Sequence, residues 1–574
     1  MKKRLLSLIL FLAALILLRH SALPAAPSPV PVPPTEQTEQ KIVLVPLDGR
    51  PPCRQFVIDA GHIGAFDVQV PPSSLQDYYS LPGDTEGMKA WVKESAPGSH
   101  ALILSIDQLL YGGLLAARER EAPQEAMDSL ITFLRELHRA NPGLPIYAFS
   151  ILPRLSPQDT IDGYEERRDL MKYSRLVGKR AAGLPVDETE IRRLEEKIPP
   201  KSMETYRSHF EENKLLNQRL AELAAEGTLT RLVLGQDDGE KFGIPNIEKE
   251  ELLSYLRQRG ISEEKVFLTH GADEIALTLL AEIKCKDTGY RPKIFVEYNS
   301  PKTADTIMPY MAVSIRDSAE EKLRMLHAHS SGSREDADAA LFLSANDREE
   351  DTLGSRLPSA RKLKQLAETG HRVAIVDLSR HFSAEETLFP LLLQENAPLN
   401  SFLAYAGWNT TSNAIGTALA QSLLFLAREK EIKNKGEALA LCRRSLTFLH
   451  NRYLEDFYYL KDVIDKVNIS LKRAGYRNTA DLDLEHNFQW ANAMLRDAMR
   501  DYAAVYQKKP SVSAPFRVET PEGPVLLRLK ELRVSAGYPW PRTFEIDLRS
   551  TLYLEELSPV PTAAYLCSCL WPLQ

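Results

Sequence analysis

Carboxylates, amides and one arginine gather at recurring places along this 574-residue sequence. Gln236-Asp237-Asp238-Gly239 sets two acids side by side in a tight loop. Adjacent side chains there cannot point the same way, so one acid faces outward while its neighbour orients it or accepts backbone N–H bonds. Two close like charges also raise one of the two pKa values, which suits a general acid. Asp237 and Asp238 are therefore the candidate catalytic pair. Asp48 and Arg50 flank Gly49, and the guanidinium either binds a substrate oxygen or pairs with Asp48. Asp107 ends an apolar run, where a carboxylate is costly without partners, and Tyr111-Gly112-Gly113 follows it. His270, Asp273 and Glu274 form a third polar group, Asn299 a fourth. Trp408-Asn409-Thr410 with Asn413 opens a small-residue helix, whose N–H groups suit anions or hydroxyls. An indole beside an amide also suits a sugar ring.

These residues share a position: each follows a short apolar, β-branched run. Ten such runs read as strands: 41–47, 66–70, 101–106, 145–151, 231–235, 266–269, 293–297, 339–344, 372–376 and 401–406. Amphipathic stretches such as 124–139 and 247–259 lie between them. Strand-then-helix alternation predicts an α/β fold with a mainly parallel sheet. Ligands in such folds sit at the carboxyl ends of strands. Ten strands exceed a simple barrel, so two doubly wound lobes of five are expected, divided near Arg259–Glu264; a decorated (β/α)8 barrel is the alternative. The charged stretch 156–226 reads as a helical insertion in the first lobe (41–260). The second lobe (261–510) ends in a helical extension, and 511–574 forms a small, appended β-rich element.

The basic start Met1–Arg4, the apolar run Leu5–Leu18 and small residues to Ala26 have the pattern of a signal peptide or signal-anchor. Residues 27–40 are a proline-rich linker. A secreted or cell-envelope location is expected, with membrane contact only through the N-terminal segment if it is uncleaved. A net charge of −7 and the lack of a basic–aromatic patch argue against nucleic acid. Five scattered cysteines make no disulfide framework. No cofactor is expected: the sequence contains no phosphate loop, dinucleotide fingerprint or serine elbow.

The segments KIVLVPLDGRPP, LILSIDQLLYGGLLAAR, LGQDDGEKFGIPN, HGADEIALTLLAE, AGWNTTSNAIGTALA and PWPRTFEIDLR together resemble the bacterial family catalogued as domain of unknown function 4127. Gly49 and Cys53 depart from the first of its motifs. The resemblance implies no reaction; it places Asp48, Arg50, Asp107, Asp237, Asp238, Asp273, Glu274, Trp408, Asn409, Thr410 and Asn413 in family motifs. The leading expectation is a glycoside hydrolase acting on an extracellular or cell-envelope glycan, using Asp237 and Asp238, with no metal. Asp48, Arg50, Asp107, Tyr111, Asp273, Glu274, Asn299, Trp408, Asn409, Thr410 and Asn413 would bind substrate. Two alternatives stand beside it: a metal-dependent hydrolase of an ester, amide or phosphate using Asp48, Asp107, His270 and Asp273, and a non-catalytic two-lobed protein that closes on a small solute.

Overall fold

In the computed structural model, residues 39–346 and 353–557 are described. The signal segment, the linker up to residue 38, Asp347 and the Cys567/Cys569 pair lie outside them. Two open parallel sheets form the frame. The first has the order β2-β1-β3-β4-β5-β6, with β1 Gln40–Val45, β2 Phe66–Gln69, β3 Ala101–Ser105, β4 Ile146–Leu152, β5 Arg231–Gln236 and β6 Val266–His270. The second has the order β11-β10-β9-β7-β8, with β7 Lys293–Tyr298, β8 His329–Ser330, β9 Ala339–Asn346, β10 Val373–Ser379 and β11 Ala404–Ala406. Each sheet starts in its interior, adds one strand outward and then reverses, as doubly wound folds do. The structure therefore takes the two-lobed form and not the barrel. The division comes one strand later than expected: β6 pairs with β5 from Leu232↔Val266 to Gln236↔His270, so six strands precede the crossing. The two-residue β8 carries too little pattern to be read from sequence.

Every residue of β4 and β5 is buried. Helices cover both faces of these strands, and only apolar runs tolerate that. Helix Gln124–Ala140 buries Met127, Leu130, Ile131, Leu134 and Leu137, the stripe that a 3.6-residue period aligns. Residues 156–226 hold three helices, Tyr164–Ala181, Glu188–Lys197 and Pro200–Ala225. They close on a small core of their own, including Leu170, Tyr173, Ile191 and Phe210.

One hydrophobic core serves both lobes. Ile42 and Ile103 of the first sheet share it with Leu341 and Val376 of the second. Helices Ile275–Thr288 and Thr411–Glu429 pass through this core, buried on nearly every face. Gly416 lets them approach closely, since a Cβ there would collide with Glu274 Cγ. The C-terminal strands β12 Phe516–Val518, β13 Val525–Gly537 and β14 Asp547–Leu557 form an antiparallel sheet. It is no appended module: Leu527, Leu529 and Leu552 pack in one cluster with Phe342, Ile375 and Leu446 of the second lobe.

A buried ion pair pins the crossing between the sheets. Lys322 Nζ lies 2.6 Å from Glu274 Oε1, with side chains 0% and 1% exposed, and donates to Thr269 Oγ1 and the His270 carbonyl, each at 2.8 Å. Removing the ammonium strands a carboxylate in the core. Lys322→Met is expected to destabilise by about 3–5 kcal/mol in urea unfolding, and adding Glu274→Gln should recover part of that loss.

Candidate functional site

The carboxyl ends of β1, β5, β6, β10 and β11 converge with the segment before β14 on a cavity of about 330 Å³. That volume lies at the small end of the range for ligand sites. Its lining includes Arg50, Arg118, Asp237, Asp238, His270 and Asp273, with Tyr310, Phe382, Asn409, Thr410, Asn413, Arg542 and Phe544 opposite or beside them.

Arg50 holds the floor. Its Nε donates to Asp48 Oδ2 at 2.8 Å, and Nη2 lies 2.5 Å from Asp273 Oδ1. Nη1 is 3.6 Å from Glu545 Oε1. Asp48 also accepts the Arg50 N–H at 3.0 Å. Burial pushes the Asp273 carboxyl up, against the opposing charge of Arg50. Asp77, unremarked in the sequence, accepts the Gly49 N–H at 2.8 Å; burial and then Asp48 push it up to about 8. Asp48, Cys53 and Asp273 place ligand atoms within 4.8 Å of one another. The Arg50 guanidinium already supplies the cation of this group, 2.7 Å from Asp48 and 3.7 Å from the Cys53 sulfur. Asp107 and His270 stand outside it. The residues therefore do not assemble the four-ligand set that the metal alternative requires.

The adjacent acids divide sharply. Asp237 Oδ2 takes Arg118 Nε at 2.7 Å and Oδ1 accepts the Asp238 N–H at 2.8 Å. Burial opposes its charge, but Arg118 and Arg154 outweigh that and hold it below the usual carboxylate range. The half-buried Asp238 side chain forms no hydrogen bond with the described residues. Burial and then the neighbouring Asp237 charge push it up to about 6. A carboxylate and a protonatable carboxyl thus sit one residue apart on one wall. Gln236 and Asn413 add buried acceptors, Oε1 and Oδ1, without partners among the described residues. His270 is oriented by Glu321, Nδ1 to Oε2 at 2.8 Å, and its Nε2 lies 3.3 Å from Lys249 Nζ.

Of the residues picked out from sequence, Arg50, Asp237, Asp238, His270, Asp273, Asn409, Thr410 and Asn413 line the cavity; Asp48, Asp107, Tyr111, Glu274, Asn299 and Trp408 do not. Asp48 lies beneath Arg50, 0% exposed. Asp107 accepts the Ile151 N–H at 3.0 Å and ties β3 to β4. Tyr111 donates to Glu212 Oε1 at 2.7 Å, and the Gly112-Gly113 turn packs on Asp77 and Gly83 rather than on a ligand. Glu274 belongs to the buried ion pair. Asn299 bonds Asn346 and Thr303 within the second lobe. Trp408 is no sugar platform: its ring is buried edge-on against Phe56, centroids 6.5 Å apart. Sequence reasoning missed Arg118, Tyr310, Phe382, Arg542 and Phe544. The run Trp540–Phe544, with arginine between aromatics in a strand-rich tail, is the signal that could have found the last two.

Burial pushes Asp107 up to about 8 despite the Ile151 N–H. A raised folded-state pKa favours folding at low pH, and that advantage fades as pH rises from about 4 to about 8. Asp107→Asn, whose amide oxygen still accepts the Ile151 N–H, should flatten the decline of urea stability between pH 5 and pH 8. An unchanged slope would remove Asp107 as its source.

No curated protein sequence matches the chain. The family model described as a protein of unknown function (DUF4127) matches residues 42–549, spanning both lobes, the helical insertion and the arginine-bearing segment before β14. The chain belongs to this DUF4127 family.

Proposed function

We propose that the protein is a hydrolase that cleaves a glycosidic bond, with Asp238 as general acid. One observation carries the reading: Asp238 is an unbonded carboxyl on the cavity wall, pushed up to about 6, beside a carboxylate that Arg118 keeps ionised. Glycoside hydrolysis needs that inequality, a proton for the leaving oxygen and a fixed negative charge for the cationic centre that develops as it leaves. Asp237, bonded through Oδ2 to Arg118, supplies the charge or steadies a substrate acetamido group. The exposed rings of Tyr310, Phe382 and Phe544 offer faces to sugar C–H groups. The unpartnered Gln236 Oε1 and Asn413 Oδ1 suit hydroxyl donors. The basic, apolar and small-residue pattern of residues 1–26 supports an extracytoplasmic glycan as substrate.

On a glycan that the wild type cleaves, Asp238→Asn is expected to lower kcat by about 10²-fold or more. In the wild type, kcat/KM should fall as pH rises past about 6, where Asp238 loses its proton. Asp237→Asn removes the charge that raises Asp238, so its residual activity should show this limb at lower pH. Full activity in Asp238→Asn, read alongside an unchanged circular dichroism spectrum, would overturn the assignment.

A further inference from the structure

Beside the cavity lies a narrower recess that shares Phe382, Asn409 and Thr410 with it and adds Thr411 and Lys461. About 10 Å³ is open in it, room for a single water-sized group. Two independent features converge there.

The first is Lys461. The residue is only 8% exposed, and its ammonium forms no hydrogen bond or ion pair with the described residues. The stem is buried while Nζ keeps some access to solvent at the recess, so the ammonium loses most of its water without gaining an acceptor. Burial pulls this one down to about 8, and the charges of Asp377, Asp456 and Glu386 only partly offset that. Those three acids are committed elsewhere. Asp377 accepts the Leu388 and Phe389 N–H groups and the Tyr405 hydroxyl. Glu386 is taken by Ser379 and His381, and Asp456 by Arg452 and the Gly407 N–H. Among the described residues, the ammonium of Lys461 meets the Phe382 ring, 5.1 Å away. Lys461 also sits in a π-helical stretch, Tyr453–Val463, a conformation that is rare and concentrated at functional sites.

The second is the start of the 19-residue helix Thr411–Glu429. Thr410 stands at its N-cap and makes no side-chain capping bond. The first N–H to reach a carbonyl is that of Ala414, bonded to Thr410 at 3.0 Å. The helix start at Thr410 and Thr411, with its free N–H groups and positive dipole end, therefore lines the same recess as an ammonium that has no hydrogen-bond acceptor among the described residues.

We propose that this recess receives one oxygen of a carboxylate carried by a substrate seated in the adjoining cavity, so that the glycan contains uronic acid or another carboxylated sugar. The sugar part of the assignment rests on the reading of the adjoining cavity; the charge part rests on Lys461 and the helix start alone. The recess admits one oxygen atom, and the three acids around the ammonium repel a dianion more strongly than a single negative charge.

Calorimetric titration of the full-length protein with D-glucuronate, D-glucose and sulfate tests the proposal. Glucuronate is expected to bind at least about tenfold more tightly than glucose, and Lys461→Gln should reduce it to the level of glucose. Lys461→Arg, which keeps the charge, should retain the preference. Wild-type affinity for glucuronate should also weaken between pH 7 and pH 9.5 as the ammonium deprotonates, a readout that needs no variant to fold. Equal affinity for glucose and glucuronate, sulfate binding in place of glucuronate, or undiminished glucuronate affinity in Lys461→Gln would each overturn it. Asp238→Asn separates the two readings: it should lose hydrolysis and keep glucuronate binding. Loss of the glucuronate preference with catalysis intact removes only the recess, and catalysis surviving Asp238→Asn removes only the hydrolase.

Discussion

Three carboxylates converge on one buried guanidinium, and the geometry of the cavity follows from that. Arg50, 6% exposed, meets Asp48 at the end of β1, Asp273 beyond β6 and Glu545 just before β14. Taking so many charges from water costs more than simple pairing returns unless hydrogen bonds are nearly complete. Arginine suits this position because its planar fork sends donors in several fixed directions, as an ammonium cannot. The same contact reaches further: Asp273 accepts Asn413 Nδ2 at 3.3 Å, so the start of helix Thr411–Glu429 in the second lobe is registered against the first. Glu545 is also gripped by Arg542 through two guanidinium nitrogens, which fixes Arg542 beside the cavity. One side chain thus sets the distance between two lobes and a C-terminal segment.

Doubly wound sheets open a crevice where strand order reverses, and both lobes have one, between β1 and β3 and between β7 and β9. Neither reversal point is the main opening here. In the first, Asp107 turns inward to hold β4. In the second, Asn299 bonds Asn346 at 2.9 Å and accepts Thr303 at 2.6 Å. With these crevices filled by the protein's own polar groups, the ligand space moves to the seam between lobes, where the ends of β5 and β6 face those of β10 and β11. The strand-end rule therefore names the correct end of each sheet and leaves open which strands contribute.

That distinction explains what the sequence makes legible. Strands buried on both faces, such as β3, β4, β5 and β10, must be apolar throughout and stand out, whereas the two-residue β8 carries no pattern. Membership of β6 in the first sheet is set by pairing with β5 across a helix, which no local pattern encodes. Asp237 and Asp238 are readable because adjacency itself forces their division of roles. Arg118 is not, because the Gly112-Gly113 turn that delivers it, with φ of 82° and 126°, reads the same whether it approaches a ligand or packs on Asp77. Trp408-Asn409 misleads for a related reason. An aromatic beside an amide looks alike in a sugar site and in a core, and here the backbone separates the two, burying the indole while Asn409, at φ 55°, turns to the cavity.

Left-handed backbone marks the rim more widely. Tyr310 at φ 63° and Phe382 at φ 56° line the cavity together with Asn409. Asparagine tolerates that region, but a bulky aromatic there is strained by about 1–3 kcal/mol. Both rings are also largely exposed, 56% and 41%, so burial does not compensate. Specific contacts hold them in place: Gly239 donates its N–H to the Tyr310 carbonyl at 3.1 Å, and Phe382 lies over the Lys461 ammonium. Neither core packing nor local propensity accounts for two strained, exposed rings facing one polar cavity. A ligand that buries their faces while meeting Asp238 below would offset both costs, and so the rim and the acid argue for the same occupant.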